Sequence, residues 1–175
     1  MMDLQEIRKI VFDQNTRLYC VLDGVMVKDL PIKLRESQVP HHCILTGDPT
    51  PDVVHAAPYL AYLSPDSKFA DSVLSDAFGK SFGIFFHSRR SLLEMRRHFR
   101  ALHEAYDERG NPLKFRYYDP RVLRSFLPTC NAGELKTLFG DVDQFFIESK
   151  KAGDIVRYCL SDGKLDIKEF NSEAK

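Results

Sequence analysis

Apolar residues recur at two alternating periods along this chain of 175 residues. Ile7, Ile10 and Val11 share one face of an opening helix whose other side carries Arg8 and Lys9. Leu18 to Leu22 is a short apolar run of strand length. Asp23-Gly24 after it fits a hairpin turn into Val25 to Val27 or a loop into a short helix begun by Asp29, with Pro31 in its first turn. Cys43 to Thr46 predicts a strand ending at Gly47-Asp48-Pro49, and the proline-rich run to Pro58 predicts a loop. Tyr59 to Leu63 predicts a third strand, Asp66 to Phe78 a helix capped by Ser64 or Asp66, and Ser81 to Phe86 a strand buried on both faces.

The second half keeps the alternation. Ser91 and Glu94 form a capping box, in which each side chain satisfies a backbone N–H at the helix start. Leu92, Met95, Phe99, Leu102 and Tyr106 follow on one face, with Arg96, Arg97, Arg100 and His103 opposite. Gly110-Asn111-Pro112 predicts a turn into a strand in which Leu113, Phe115 and Tyr117 alternate with Lys114, Arg116 and Tyr118. Asp119 then caps a helix with Pro120 at its first position, where a missing N–H costs nothing, and Val122, Leu123, Phe126 and Leu127 recur at helical spacing. Ala132 to Phe139 predicts a helix ending at Gly140, Val142 to Ile147 a strand, and Ile155 to Leu160 with Lys164 to Phe170 a hairpin around Asp162-Gly163. Together these predict an α/β fold: a mixed β-sheet of about five to seven strands with helices packed on its faces.

Composition narrows the class. With 43% hydrophobic residues the chain suffices for one domain with a real core. Twenty-five basic and 25 acidic residues cancel, so no bulk attraction to nucleic acid or membrane is expected. Met1 to Phe12 lacks the apolar core of a signal peptide, and no run approaches a membrane span, which predicts a cytoplasmic protein. Cys20, Cys43, Cys130 and Cys159 are far apart among apolar neighbours, the setting of reduced thiols.

The stretch from Phe115 to Arg124, FRYYDPRVLR, resembles the hallmark of the type VI secretion effector adaptors (chaperones), long catalogued as a domain of unknown function. Ala57-Pro58-Tyr59-Leu60, the strand near Gly79 to Phe86, Ser91-Leu92 opening the helix with His98-Phe99-Arg100, and Phe139-Gly140 come in that family's order. The likeness spans residues 17–148, leaving 1–16 as an N-terminal helix and 149–175 as a C-terminal hairpin extension of the same domain. The family pattern also favours the loop and helix after Asp23 over a hairpin. The resemblance implies a non-enzymatic protein; no cofactor or metal is expected from its residues. Its implied partners are the N-terminal region of a cognate toxin effector and the valine-glycine repeat spike protein VgrG; the balanced charge leads to the expectation of no nucleic-acid or membrane partner.

Asp162 to Phe170 mimics half of a calcium loop, but Tyr158 and Leu160 stand where carboxylates are required. His41-His42-Cys43 lacks a second ligand cluster at metal spacing. A hydrolase built on His87, Ser88 and Asp119 has no nucleophile motif to support it. An immunity protein that binds a toxin's catalytic domain is a further alternative. The arginine-rich helix face has three readings: a solvated face paired with acids such as Asp107 and Glu108, a protein interface, and the less favoured nucleic-acid surface. Arg89, Arg96, Arg97, Arg100 and Tyr118 are accordingly the candidate partner-binding residues. Capping and core explain Asp119, Pro120, Phe115, Tyr117 and Phe126, which leaves Arg116 and Arg121. They fit either an Arg-to-Asp119 latch that fixes the corner or an exposed contact to a partner.

Overall fold

The computed structural model describes residues 2–47, 50–103, 109 and 115–172. In chain order the elements are α1 (Leu4–Val11), β1 (Arg17–Asp23), α2 (Leu30–Glu36), β2 (His41–Cys43), α3 (Pro51–Ala56), β3 (Pro58–Leu63), α4 (Lys68–Ala77), β4 (Gly83–Ser88) and α5 (Leu92–His103). Then come α6 (Pro120–Phe126), a 3-10 turn (Leu127–Thr129), α7 (Ala132–Phe139), β5 (Gln144–Glu148), β6 (Ile155–Ser161) and β7 (Lys164–Phe170). The strands form one seven-stranded sheet in the order β2-β3-β1-β4-β5-β6-β7. Among the described residues every pairing is antiparallel. The α/β class is as expected, the strand count reaches the top of the expected range, and the mixed sheet resolves into antiparallel pairs alone.

Side-chain alternation on β1 sorts the core into two layers. Leu18, Cys20 and Leu22 point to one face, where α1, α2 and α4 supply Ile7, Val11, Leu30, Leu34, Phe69 and Leu74. Tyr19 and Val21 point to the other, where α5, α6 and α7 supply Met95, Phe99, Leu123, Leu135 and Phe139. β4 and β5 repeat the pattern, with Phe85 and Phe146 in the first layer and Phe86 and Phe145 in the second. Each fully buried side chain of this kind contributes about 1.5–3 kcal/mol before entropy. Capping boxes start α1 (Asp3 with Glu6), α5 (Ser91 with Glu94) and α7 (Asn131 with Glu134). All four cysteines are free thiols.

Several expectations change. β2 pairs through His41–Cys43 rather than Cys43–Thr46, because Ile44 gives a last hydrogen bond to the Pro58 carbonyl and turns into the second core. Part of the expected proline-rich loop is α3, with Pro51 at the tolerant first position. α4 starts later than predicted: Ser67, not Ser64 or Asp66, accepts from the Ala70 N–H, after a turn closed by Ser67 N–H to Ser64 O. β4 begins two residues late, since Ser81 has a φ of 53°, outside strand conformation. After Asp23 the chain takes the loop-and-helix course. Residues 115–118 are not the predicted strand: the Asp119 N–H closes a turn on the Arg116 carbonyl, and Tyr117 and Phe115 pack on α5 and α6. The turn at Gly110-Asn111-Pro112, Leu113, Lys114, Tyr106, Asp107 and Glu108 lie outside the described residues.

Close packing of β1 against β4 makes one glycine obligatory. A Cβ on Gly83 would lie 2.1 Å from the Val21 carbonyl oxygen, so backbone would have to move. Gly83→Ala should lower stability by about 1–3 kcal/mol, measured by urea denaturation followed by far-UV circular dichroism; an unchanged midpoint would contradict this packing.

Candidate functional site

β1, an interior strand flanked by β3 and β4, ends in the acid Asp23. Its side chain is 3% exposed. One carboxylate oxygen accepts from the Val25 N–H at 2.9 Å and the other from Arg116 Nη2 at 2.5 Å. A buried carboxylate without a cation would be strongly destabilising, and Arg116 is that cation. The guanidinium remains 48% exposed and also lies over the Tyr118 ring, 5.6 Å from its centroid. Desolvation works against the charged Arg116, but the neighbouring Asp23 outweighs it and the net shift is upward. Burial likewise raises the Tyr118 hydroxyl, against the opposing pull of Arg116.

The motif that carries Arg116 is a turn. Asp119 N–H donates to the Arg116 carbonyl at 2.9 Å, placing Tyr117 and Tyr118 at its centre. Tyr117 is buried, stacks on Phe99 at 5.3 Å between centroids, and donates its hydroxyl to the Phe99 carbonyl at 2.9 Å. Phe115 packs on Phe126 at 4.7 Å. Asp119 then caps α6 by accepting from the Arg121 N–H. Arg121 returns a two-pronged ion pair, Nε to Oδ1 at 2.9 Å and Nη2 to Oδ2 at 2.7 Å. Burial pushes the Asp119 carboxyl up, but the Arg121 hydrogen bonds and the charges of Arg121 and Arg116 more than offset it, leaving the group below its ordinary value. Pro120 is buried at the first helical position. The Arg-to-Asp119 pair is therefore made by Arg121, while Arg116 reaches to Asp23.

The other predicted residues sit apart from this corner. Arg96 is half-buried and donates from Nε to the Cys43 carbonyl at 3.0 Å, tying α5 to β2. Arg97 and Arg100 are exposed on α5, and Arg89 is exposed before it, its carbonyl accepting from Arg17. Arg90 pairs with Glu94 and Asp141. The hydrolase trio is not brought together by any hydrogen bond among the described residues. His87 is buried between the Val11 carbonyl at 2.6 Å and Gln144 at 2.7 Å, whereas Ser88, its strand neighbour, donates to the Asp141 carbonyl. Burial lowers the His87 imidazole.

The chain-order view missed Asp23 and the residues it holds. Val25 and Met26 follow it and are 64% and 37% exposed, although the backbone beneath them is fixed. Val25 N–H is held by the Asp23 carboxylate, and Met26 and Val27 N–H by the Asp23 carbonyl. Gly24 donates to the Ala57 carbonyl, and a Cβ there would come within 2.5 Å of two carbonyl oxygens. The available signal was an acid ending an apolar run, a place where a carboxylate needs a distant cation. Arg121, Val122, Ser125, Phe126 and Thr129 line a shallow open groove beside the corner with Asp119.

A family model described as a domain of unknown function (DUF4123) matches residues 18–137, and the chain belongs to that family, which is associated with type VI secretion effectors. No curated protein and no solved structure gives a significant match. The matched region holds Asp23, Arg116, Asp119 and Arg121, while β5, β6 and β7 continue the sheet beyond it. Among the described residues no helix is long and apolar enough to cross a membrane.

The Asp119 pair gives a pH signature. With its folded value held below the ordinary 3.8, the carboxylate contributes stability in full above that value and loses it as pH falls through the lowered one. Arg121 is well exposed, which limits the contribution to about 1 kcal/mol. Asp119→Asn should lower Tm at neutral pH and flatten the acid limb of the Tm profile; an acid limb as steep as in the parent protein would contradict the assignment.

Proposed function

We propose that this chain is a type VI secretion effector adaptor. It binds the N-terminal region of a cognate toxin effector, keeps that region soluble, and loads it onto the VgrG spike. Family membership supports the class. The observation that carries a binding role is the exposed apolar pair Val25 and Met26 on backbone anchored by the Arg116–Asp23 contact. Apolar residues held rigidly beside a charged corner lose little entropy on docking, so their burial goes largely into affinity. A stable complex would cover about 1,200–2,000 Å² in total, so the surface extends beyond these two residues.

The work done is differential binding with no covalent step. The adaptor holds an apolar effector segment while that segment lacks its final partner, and yields it when the spike provides a better one. Arg116 serves as a positioning residue that keeps the loop in place, and Arg121 with Asp119 does the same for the start of α6.

Co-expression with the full effector, with its N-terminal segment alone and with its toxin domain alone separates the readings. Capture of the N-terminal segment is expected, and Val25→Asp with Met26→Asp should weaken it at least about tenfold with Tm unchanged. Recovery with the toxin domain alone would favour an immunity protein. Recovery with neither would remove the adaptor reading and bring back the hydrolase and nucleic-acid alternatives.

A further inference from the structure

We propose that the outer edge of β7 is a dimerisation strand whose partner is β7 of a second copy of this chain. Among the described residues β7 is hydrogen-bonded to β6 alone. It is seven residues long, without Pro or Gly, and its register with β6 runs unbroken from Ser161↔Lys164 to Ile155↔Phe170. The opposite edge, β2, has three residues, the short form in which edges are usually left. A long regular edge is a template for another strand.

The hairpin geometry fixes which groups face outward. Asp162 and Gly163 form a two-residue turn with φ of 50° and 75°, which makes Ser161 and Lys164 its closing hydrogen-bonded pair. Alternation then sends the backbone N–H and C=O of Leu165, Ile167 and Glu169 to the open edge. An antiparallel pair of β7 strands centred on Ile167 matches all three residues with outward-facing partners: Ile167 with its symmetry mate, and Leu165 with Glu169 in both directions. The two-fold axis closes the assembly at two copies and joins the sheets edge to edge.

Charge selects that register. On the opposite face of the strand, Asp166 then lies across from Lys168 of the second copy, twice by symmetry, at positions where side chains come closest. A slip that centres the pair on Asp166 sets Asp166 against Asp166 and Lys164 against Lys168. Centring on Lys168 sets Lys168 against Lys168. Both slips are penalised by like charges. Ile167 is 48% exposed in the single chain and becomes covered by its symmetry mate. Asp166 already pairs with Arg157 at 2.9 Å on its own hairpin, which orients the carboxylate.

Sedimentation velocity on the full chain across a micromolar concentration series tests this. The parent protein is expected to be a monomer–dimer equilibrium, and Ile167→Lys or Lys168→Asp should weaken dimerisation at least about tenfold with Tm unchanged. Asp166→Lys should do the same. A mixture of Asp166→Lys with Lys168→Asp should restore a dimer, because every new charge then faces its opposite. If Asp166→Lys melts early from loss of the Arg157 pair, the Ile167→Lys and Lys168→Asp arms decide. A parent protein that stays monomeric throughout, or a dimer indifferent to both of those substitutions, would overturn the proposal, as would two folded single variants whose mixture stays monomeric.

Discussion

A carboxylate at the end of a buried central strand must find a cation, and that requirement organises the corner on which the proposed function depends. β1 is flanked by β3 and β4, so Asp23 emerges where water is scarce and hydrogen-bonding neighbours are already engaged. Arg116 meets the requirement from a segment more than ninety positions along the chain. Its turn is itself fixed by Tyr117, whose ring and hydroxyl engage Phe99 in α5. The ion pair therefore joins the sheet to the helical layer above it. Because the guanidinium is half in water, its removal costs less than breaking a fully buried pair and more than losing a surface one.

Most of the fold was legible because burial imposes a period. Strands sandwiched between two helical layers show continuous apolar runs, as at Leu18 to Leu22 and in the strand that starts at Gly83. Amphipathic helices with capping boxes are equally plain, as at Ser91 to Glu94. The failures came where a short period arises without a ladder. Phe115 and Tyr117 pack on α6 and α5 while Arg116 between them stands exposed, and Tyr118 joins Tyr117 in the core, so the apparent alternation comes from a turn. Only tertiary context, the packing of Tyr117 on Phe99 and of Phe115 on Phe126, separates this turn from a strand. α3 was hidden for a different reason: Pro51 reads as a loop residue, yet at a first helical position it carries no penalty.

The site was half legible. Asp119, Pro120 and Arg121 form a local unit whose capping and ion pair lie within three residues, and local chemistry is what a sequence displays. The partner of Arg116 is a long-range contact, and nothing in the spacing of the motif points to Asp23. The arginines of α5 divide in a way that a helical wheel does not show. Arg96 is spent on holding the Cys43 carbonyl, whereas Arg97 and Arg100 stand exposed. The apolar exposure of Val25 and Met26 was equally hidden, since it follows from how tightly the backbone around Gly24 is held against Ala57.

These features fit a binding protein whose recognition surface is preset by its own folding energy. A loop held by one ion pair, one carboxylate-bound N–H and one glycine contact needs no partner to order it. The most direct measurement is a double-mutant cycle of Arg116→Ala and Asp23→Asn, read as unfolding free energy and as affinity for the effector's N-terminal segment. The account predicts a coupling of about 1–3 kcal/mol in stability, with effector affinity falling in each single variant. Additive losses, or single variants that unfold early yet bind the segment as tightly as the parent, would contradict it.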